Sequence, residues 1–322
     1  MKSPPIIKPY PNVPGRPTWS VMIPAYNCAH LLPQTLESIL IQDPGPEHMQ
    51  IMVVDDASTD ADIEALVNEM GKGRISYYRQ PQNVGSLKNF ETCINLSEGH
   101  LVHILHGDDR VKQGYYDKIG SLFQQYPGIG AAFCRYDTID ESGRLLWTHT
   151  LEMDHDGVLD NWLLKIASKQ RLQFCTITVK REVYENIGGY YGVNYGEDWE
   201  MWARIAAHYK VAYSPEILAE YRMHTDSISS ASFGNANNIR DIRWVINTIQ
   251  NFVPVQQRKM VYKAASKHYA HYALSIANLI WHKTRDKKST HLQICEALKM
   301  HTDASMLINA MKIYTKMMIG RV

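Results

Sequence analysis

The sequence predicts an α/β fold with a mostly parallel central sheet, followed by a carboxyl-terminal helical extension. Three observations predict it. Between Trp19 and Asp109, short apolar runs alternate with stretches of helical period. Two of those runs end in paired aspartates, Asp55-Asp56 and Asp108-Asp109. From about Asn237 onward only helical periodicity remains. The chain has 322 residues, 45% of them hydrophobic and 21% charged, a composition of folded rather than disordered protein.

The elements follow in order. Trp19–Pro24 reads as a strand, and Pro33 near the start of the next apolar period opens a helix carrying Leu32, Leu36, Ile39 and Leu40 on one face. Gln50–Asp56 is a second buried strand. Asp60 is placed to cap a helix that runs through Met70 and stops at Gly71. Arg74–Arg79 reads as a third strand, Ser86–Ser97 as a helix closed by Gly99, and His100–His106 as a fourth strand. Lys112–Tyr126 is helical, Ile129–Tyr136 and Phe174–Lys180 are strands, and Gly196–His208 is a helix opened by Glu197-Asp198. Val211–Ser214 and Ile217–Arg222 read as two short strands. In the last helix, Leu307, Met311, Tyr314 and Met318 share a face. Six prolines between Pro4 and Pro17 predict an extended strap. The division is a strap at 1–17, a first domain at 18–230 ending in the linker-like Ser227–Ser232, and a basic helical region at 231–322.

Charge is unevenly spread. Gln256–Val322 holds 12 basic and 3 acidic residues, a net of +9, which leaves −8 on the rest and +1 overall. No apolar run reaches the ~18 residues a membrane-spanning helix needs. Five scattered cysteines without a CxxC argue against a disulfide framework or zinc cage and suit a reducing cytoplasm.

Parallel sheets gather ligands at the carboxyl ends of their strands. Paired aspartates there repel each other and are costly to desolvate, so a cation beside them is one reading, with Mg²⁺ or Mn²⁺ favoured by oxygen ligands and able to carry a diphosphate. The other is a capped turn with one aspartate solvated. No GxxxxGK[ST] and no GxGxxG follows a strand, which disfavours a P-loop kinase or ATPase and weakens a dinucleotide-dependent dehydrogenase.

The ordered series Ile23-Pro24-Ala25-Tyr26-Asn27, Val53-Val54-Asp55-Asp56-Ala57-Ser58-Thr59-Asp60, Asn83-Val84-Gly85 with Asn89, Gly107-Asp108-Asp109, Gly188-Gly189-Tyr190, Glu197-Asp198 and Tyr221-Arg222-Met223-His224 with Ser227 resembles a family 2 glycosyltransferase of the GT-A fold over roughly residues 18–230. The resemblance implies an inverting hexosyl- or N-acetylhexosaminyl-transferase that uses a nucleotide-sugar, usually a UDP-sugar, and Mn²⁺ or Mg²⁺. By carry-over Pro24, Tyr26 and Asn27 line the nucleotide pocket, and Asp55 or Asp56 contacts base or ribose, with Asp56 favoured. Lys88 stands where an arginine is common. Asp108 contacts sugar or ribose, Asp109 ligates the metal, with His106 where an aspartate is common, and His224 contacts metal or diphosphate.

Asp198 resembles the catalytic base. An inverting transfer needs a carboxylate to take the acceptor hydroxyl's proton, and a helix start would hold Asp198 ionised. Glu197 and Trp199 are the expected acceptor-side residues, the acceptor being a saccharide or a lipid-linked one. A sugar nucleotidyltransferase is the rival enzyme, disfavoured because Pro24–His30 is not a glycine-rich basic loop; a non-catalytic sugar-nucleotide-binding protein is the other alternative. The basic helices suit peripheral contact at the inner face of a membrane, a cap over the catalytic domain or a homodimer interface. No nucleic-acid-binding module is recognisable.

Overall fold

A computed structural model of the chain describes residues 3–11, 13–224 and 233–320. The linker-like Ser227–Ser232, with Ser227 of the motif series, lies outside the described residues. The chain forms two compact units that interleave along the sequence. The first comprises Met1–Asp160, Leu172–Gly192 and His208–His224; the second comprises Asn161–Arg171, Val193–Ala207 and Thr225–Val322. The unit that holds the helical region therefore also takes in two segments from the middle of the chain.

The first unit is built on a ten-stranded mixed sheet. Strands β1 (Trp19–Ala25), β2 (Met49–Asp55), β3 (Ser76–Arg79) and β4 (Leu101–Ile104) lie parallel in the order β3-β2-β1-β4. Helices α1 (Leu32–Leu40), α2 (Ile63–Gly71) and α3 (Ser86–Leu96) connect them, as βαβ connection requires of parallel neighbours. Register aligns Ala25 with Asp55, so the last residues of β1 and β2 sit side by side. After β5 (Arg110–Val111) and α4 (Tyr115–Gln125), strands β6 (Ile129–Asp140), β7 (Leu145–Thr148) and β8 (Gly157–Val158) follow; β9 (Ile177–Lys180), which leads into helix α6 (Arg181–Ile187), pairs antiparallel with β4 and β6, and β10 (Lys210–Met223) runs parallel to β6. Val21, Ile23, Ile51, Val53, Leu36, Ile39 and Ile119 are among the residues of this unit's core.

Several expectations shift. Asp62, not Asp60, caps α2: its Oδ1 accepts from Ala65 N at 3.0 Å, while Asp60 Oδ2 accepts from Ala29 N at 2.9 Å and ties the turn after β1 instead. Gly71 lies inside α2, where a Cβ would meet the Ile75 side chain at 2.9 Å; the left-handed cap falls on Lys72. The two short strands expected at 211–222 are one strand, irregular between Ser214 and Ala219, where Pro215 has no N–H for the ladder. Extended residues of the strap dock on this unit, Gly189 N donating to Pro5 O at 3.0 Å with Ile7 buried.

In the second unit, α5 (Trp162–Ser168), α7 (Glu197–His208) and the helices Asn237–Ile249, Val255–Thr284, Lys287–Met300 and Ala304–Ile319 supply most of the structure. Its core includes Ala270, Ala273, Leu274, Ala277, Ile294 and Ala297. On the last helix the buried face is Met306, Ala310, Ile313 and Met317, one residue out of phase with the expected Leu307, Met311, Tyr314 and Met318. The helix has two apolar stripes, and the one bearing the small Ala310 is the one packed inward. Among the described residues, no helix is long and apolar enough to cross a membrane.

Candidate functional site

The carboxyl ends of β2, β1 and β4 carry the expected residues of the first unit. Just past β1 and β2, Asn27 and Ala57 both adopt left-handed backbone, with φ of 50° and 60°. Asparagine tolerates that region; alanine does not, and such strain costs about 1–3 kcal/mol. Mutual hydrogen bonds hold the two turns: Asn27 N donates to Ser58 Oγ at 3.0 Å, and Thr59 N donates to Asn27 Oδ1 at 2.8 Å. Pro24, the last residue but one of β1, accepts through its carbonyl from Gly107 N at 3.2 Å. Tyr26 stands half exposed beside them.

The two acids after β2 do different work. Asp55 is buried and saturated, accepting from Ser58 N at 2.9 Å, from Tyr77 OH at 2.8 Å and from Arg79. Asp56 accepts from Val84 N at 2.7 Å and Gly85 N at 2.9 Å, so it fixes the Asn83-Val84-Gly85 loop that opens α3. Burial raises its pKa against those two amides. Asn89 Nδ2 donates to Val54 O at 2.9 Å, tying α3 to β2. Lys88 is exposed and pairs with Glu91 at 2.9 Å.

Past β4 the chain places His106, Asp108 and Asp109 together, with one potential ligand atom from each within 4.8 Å of the others. Gly107 between them faces Cys28, whose Sγ would lie 2.8 Å from an added Cβ. His224 Nε2 hydrogen-bonds Asp108 Oδ2 at 2.9 Å. Burial works to raise the Asp108 pKa, but that bond and the nearby imidazoles hold it below the ordinary range. Asp109 is pushed well above it, by burial first and then by the charge of Asp108. Burial and the charge of Asp108 thus favour a proton on Asp109, and a cation beside the two carboxylates would relieve the same repulsion. His106 packs flat on Phe90 at 5.3 Å and against Phe174 at 4.4 Å; its Nε2 is buried without a hydrogen-bond partner, and burial keeps the ring neutral.

Arg222 is a site residue that its motif position alone did not mark. Its backbone N donates to Asp109 Oδ1 at 2.8 Å, and its guanidinium reaches the carbonyls of Asp108 at 2.8 Å and Glu141 at 2.8 Å and Gln34 Oε1 at 2.8 Å. It locks the acid turn to the end of β10.

The second unit carries the other expected group. Asp198 lies in the first turn of α7, accepts from Trp199 N at 2.7 Å through Oδ1 and from the Gln170 amide through Oδ2. Burial pushes its pKa up to about 7, opposed by those donors. The expectation that the helix start alone keeps it ionised is thus corrected, because desolvation outweighs the dipole. Glu197 is raised well above the usual range by burial and by the charge of Asp198. Gln170 N in turn donates to Tyr269 OH at 3.2 Å. Trp199, expected on the acceptor side, is instead core: it is 0% exposed, donates from Nε1 to Ile166 O at 2.6 Å and packs on Tyr269 at 4.7 Å, so neither ring face is open to a sugar. Gln170 was not legible as a site residue, since no local motif marks it.

Comparison with known proteins bears on this geometry. The chain is 26% identical over 259 residues to an uncharacterized protein of Mycobacterium tuberculosis, covering 72% of this chain and 77% of that one. It is 26% identical over 220 residues to a putative teichuronic acid biosynthesis glycosyltransferase, TuaG, of Bacillus subtilis, covering 67% and 82%. Matches to two mycoplasmal glycosyltransferases span only 42% and 40% of their lengths. The structure superposes on Staphylococcus aureus TarS 1–349, solved in complex with UDP-GlcNAc, with a TM-score of 0.67 at 14% identity, over 94% of this chain and 92% of that one. This is a likeness of fold, and the fold is GT-A. The family model for glycosyl transferase family 2 matches residues 20–192, more than half of the chain. With the ordered motifs and the strand-end acids in place, the chain belongs to glycosyl transferase family 2 and is a glycosyltransferase.

Proposed function

We propose that the enzyme moves a hexosyl or N-acetylhexosaminyl group from a UDP-sugar to a hydroxyl of a saccharide or lipid-linked acceptor, with inversion at the transferred carbon. The observation that carries the donor half is the His106–Asp108–Asp109 cluster at the carboxyl end of β4. Its residues fit a divalent cation: Asp109 favours a proton that a cation would displace, and His106 offers a neutral imidazole. Asp109, Asp108 and His106 would hold Mn²⁺ or Mg²⁺, with His224 orienting Asp108. Bound there, the ion would stabilise negative charge on the departing diphosphate. Tyr26 at the end of β1 is the group open to stack on the nucleobase, alongside Pro24 and Asn27. Asp56 shapes the pocket wall by holding Val84 and Gly85, and Asp55 braces it from behind through Arg79 and Tyr77. Lys88, exposed on the first turn of α3, supplies positive charge near that wall without a planar fork.

Asp198 is the base. Attack requires the acceptor hydroxyl to lose its proton as the bond to the sugar forms, and a carboxyl poised near neutrality is matched to that step. Gln170 positions its Oδ2 and favours the charged form; Glu197, whose pKa burial and the charge of Asp198 raise well above the usual range, is the neighbouring acid on the acceptor side. The TuaG likeness supports an envelope polysaccharide as the acceptor class, and the TarS complexes with UDP-GlcNAc and UDP support a uridine donor. The basic carboxyl-terminal helices extend the reading to a peripheral contact with the inner face of a membrane in the cytoplasm, with a homodimer as the alternative use of that surface. The reading is tested by incubating the enzyme with UDP-, GDP- and dTDP-sugars plus Mn²⁺ and measuring nucleotide release. UDP-sugars should be turned over preferentially, and Asp198→Asn should lower turnover by roughly a hundred- to ten-thousand-fold while leaving UDP binding intact.

A further inference from the structure

The last helix, Ala304–Ile319, buries one apolar stripe and leaves a second one uncovered. Leu307, Ile308, Met311, Met318 and Ile319 are from 46% to 79% exposed. They stand at i, i+1, i+4, i+11 and i+12, which at about 3.6 residues per turn share one face. Lys312 borders that face, and Lys316 follows one turn on, held by Asn278 Oδ1 at 2.9 Å. The helix contains no acidic residue, and Asp303, the acid before it, is engaged as its cap through Met306 N at 2.9 Å.

We propose that this face is an in-plane docking surface for an anionic lipid membrane. An apolar stripe bordered by Lys312 and free of acids is the pattern of a helix that lies in the headgroup boundary. Charge selects the occupant. The region Gln256–Val322 carries a net +9, so a second copy would bring like charge against like charge, whereas anionic headgroups complement it. No helix among the described residues is fit to cross the bilayer, so the contact is superficial. The inference deepens the peripheral-contact reading above and rests on it: it assigns the contact to one helix and five side chains.

The test is co-sedimentation of the full chain with vesicles of phosphatidylglycerol and phosphatidylcholine, and with vesicles of phosphatidylcholine alone, at low and high salt. The expected result is binding to the anionic vesicles, weakened by salt, with at least a tenfold fall in partitioning for the double variant Met311→Glu with Met318→Glu. Both positions are exposed, so circular dichroism should be unchanged; Met311→Ser with Met318→Ser checks the apolar contribution without added charge and should fall in the same direction. Binding by both double variants equal to the parent chain would overturn the assignment to this helix while leaving a membrane contact elsewhere standing. Failure of the parent chain to bind either vesicle would overturn both. A dimer by light scattering that the glutamates convert to monomer, without lipid binding, would make a second copy the occupant and overturn the proposal.

Discussion

At neutral pH the carboxyl of Asp198 sits near its own titration midpoint, because burial raises its pKa to about 7 while Trp199 N and the Gln170 amide hold it from going higher. A base must be ionised to act, so turnover should rise with pH, about tenfold per unit below the midpoint, and level off above ~7. Gln170→Leu removes a donor that favours the charged form. The rising limb should then move to higher pH, with the alkaline plateau kept within a few-fold; an unchanged limb with a uniformly lower plateau would mean that Gln170 only supports the fold. Asp198→Asn should cost roughly a hundred- to ten-thousand-fold in kcat with the Kd for UDP unchanged, and retained turnover would remove Asp198 from the chemistry. Which side chains carry the site was only partly readable. Asp56, Asp108 and Asp109 stand out because acids that end apolar runs are anomalous. Gln170 does not, because its role is set by a partner 28 residues away, and Trp199 misleads because an indole suits a core and a sugar face equally.

Among the elements, the parallel half of the sheet was legible because each strand is a short apolar run closed by polar residues. The boundaries were less so. Asp60 and Asp62 both qualify as caps by type, and only the turn after β1, which claims Asp60, decides between them. Asp62→Ala should therefore cost about 1 kcal/mol of stability through loss of the cap. Asp60→Ala should instead loosen the Asn27 turn, read as weaker UDP binding with α2 intact. Gly99, expected to close α3, has a tighter reason to be glycine: a Cβ there would stand 2.4 Å from the Trp19 carbonyl carbon and 2.5 Å from Ser20 N. Backbone cannot step aside as a side chain can, so Gly99→Ala should lower stability by about 3 kcal/mol, measured as the denaturation midpoint at constant slope. On the last helix the period alone could not tell two apolar stripes apart; the one bearing Met306, Ala310, Ile313 and Met317 is the one that packs.

For the whole molecule, the helical region could be seen in the sequence, but not that 161–171 and 193–207 join it in one compact unit, since that grouping depends on contacts distant in sequence. The residues proposed for the sugar nucleotide lie in the first unit and the proposed base in the second, so the two can be tested separately. Ligand binding to the folded state alone stabilises it by about 2.7 kcal/mol at a hundredfold excess over Kd. UDP with Mn²⁺ should accordingly raise Tm by several degrees, and the rise should survive Asp198→Asn. The central claim is that the acids after β4 hold a cation and, with it, the diphosphate of a nucleotide. Calorimetric titration of UDP into the enzyme with and without Mn²⁺ tests it most directly. Tighter binding with Mn²⁺ in the parent chain, with that gain lost in Asp109→Asn, is the predicted result; equal affinity in both conditions, or a gain that Asp109→Asn retains, would contradict it.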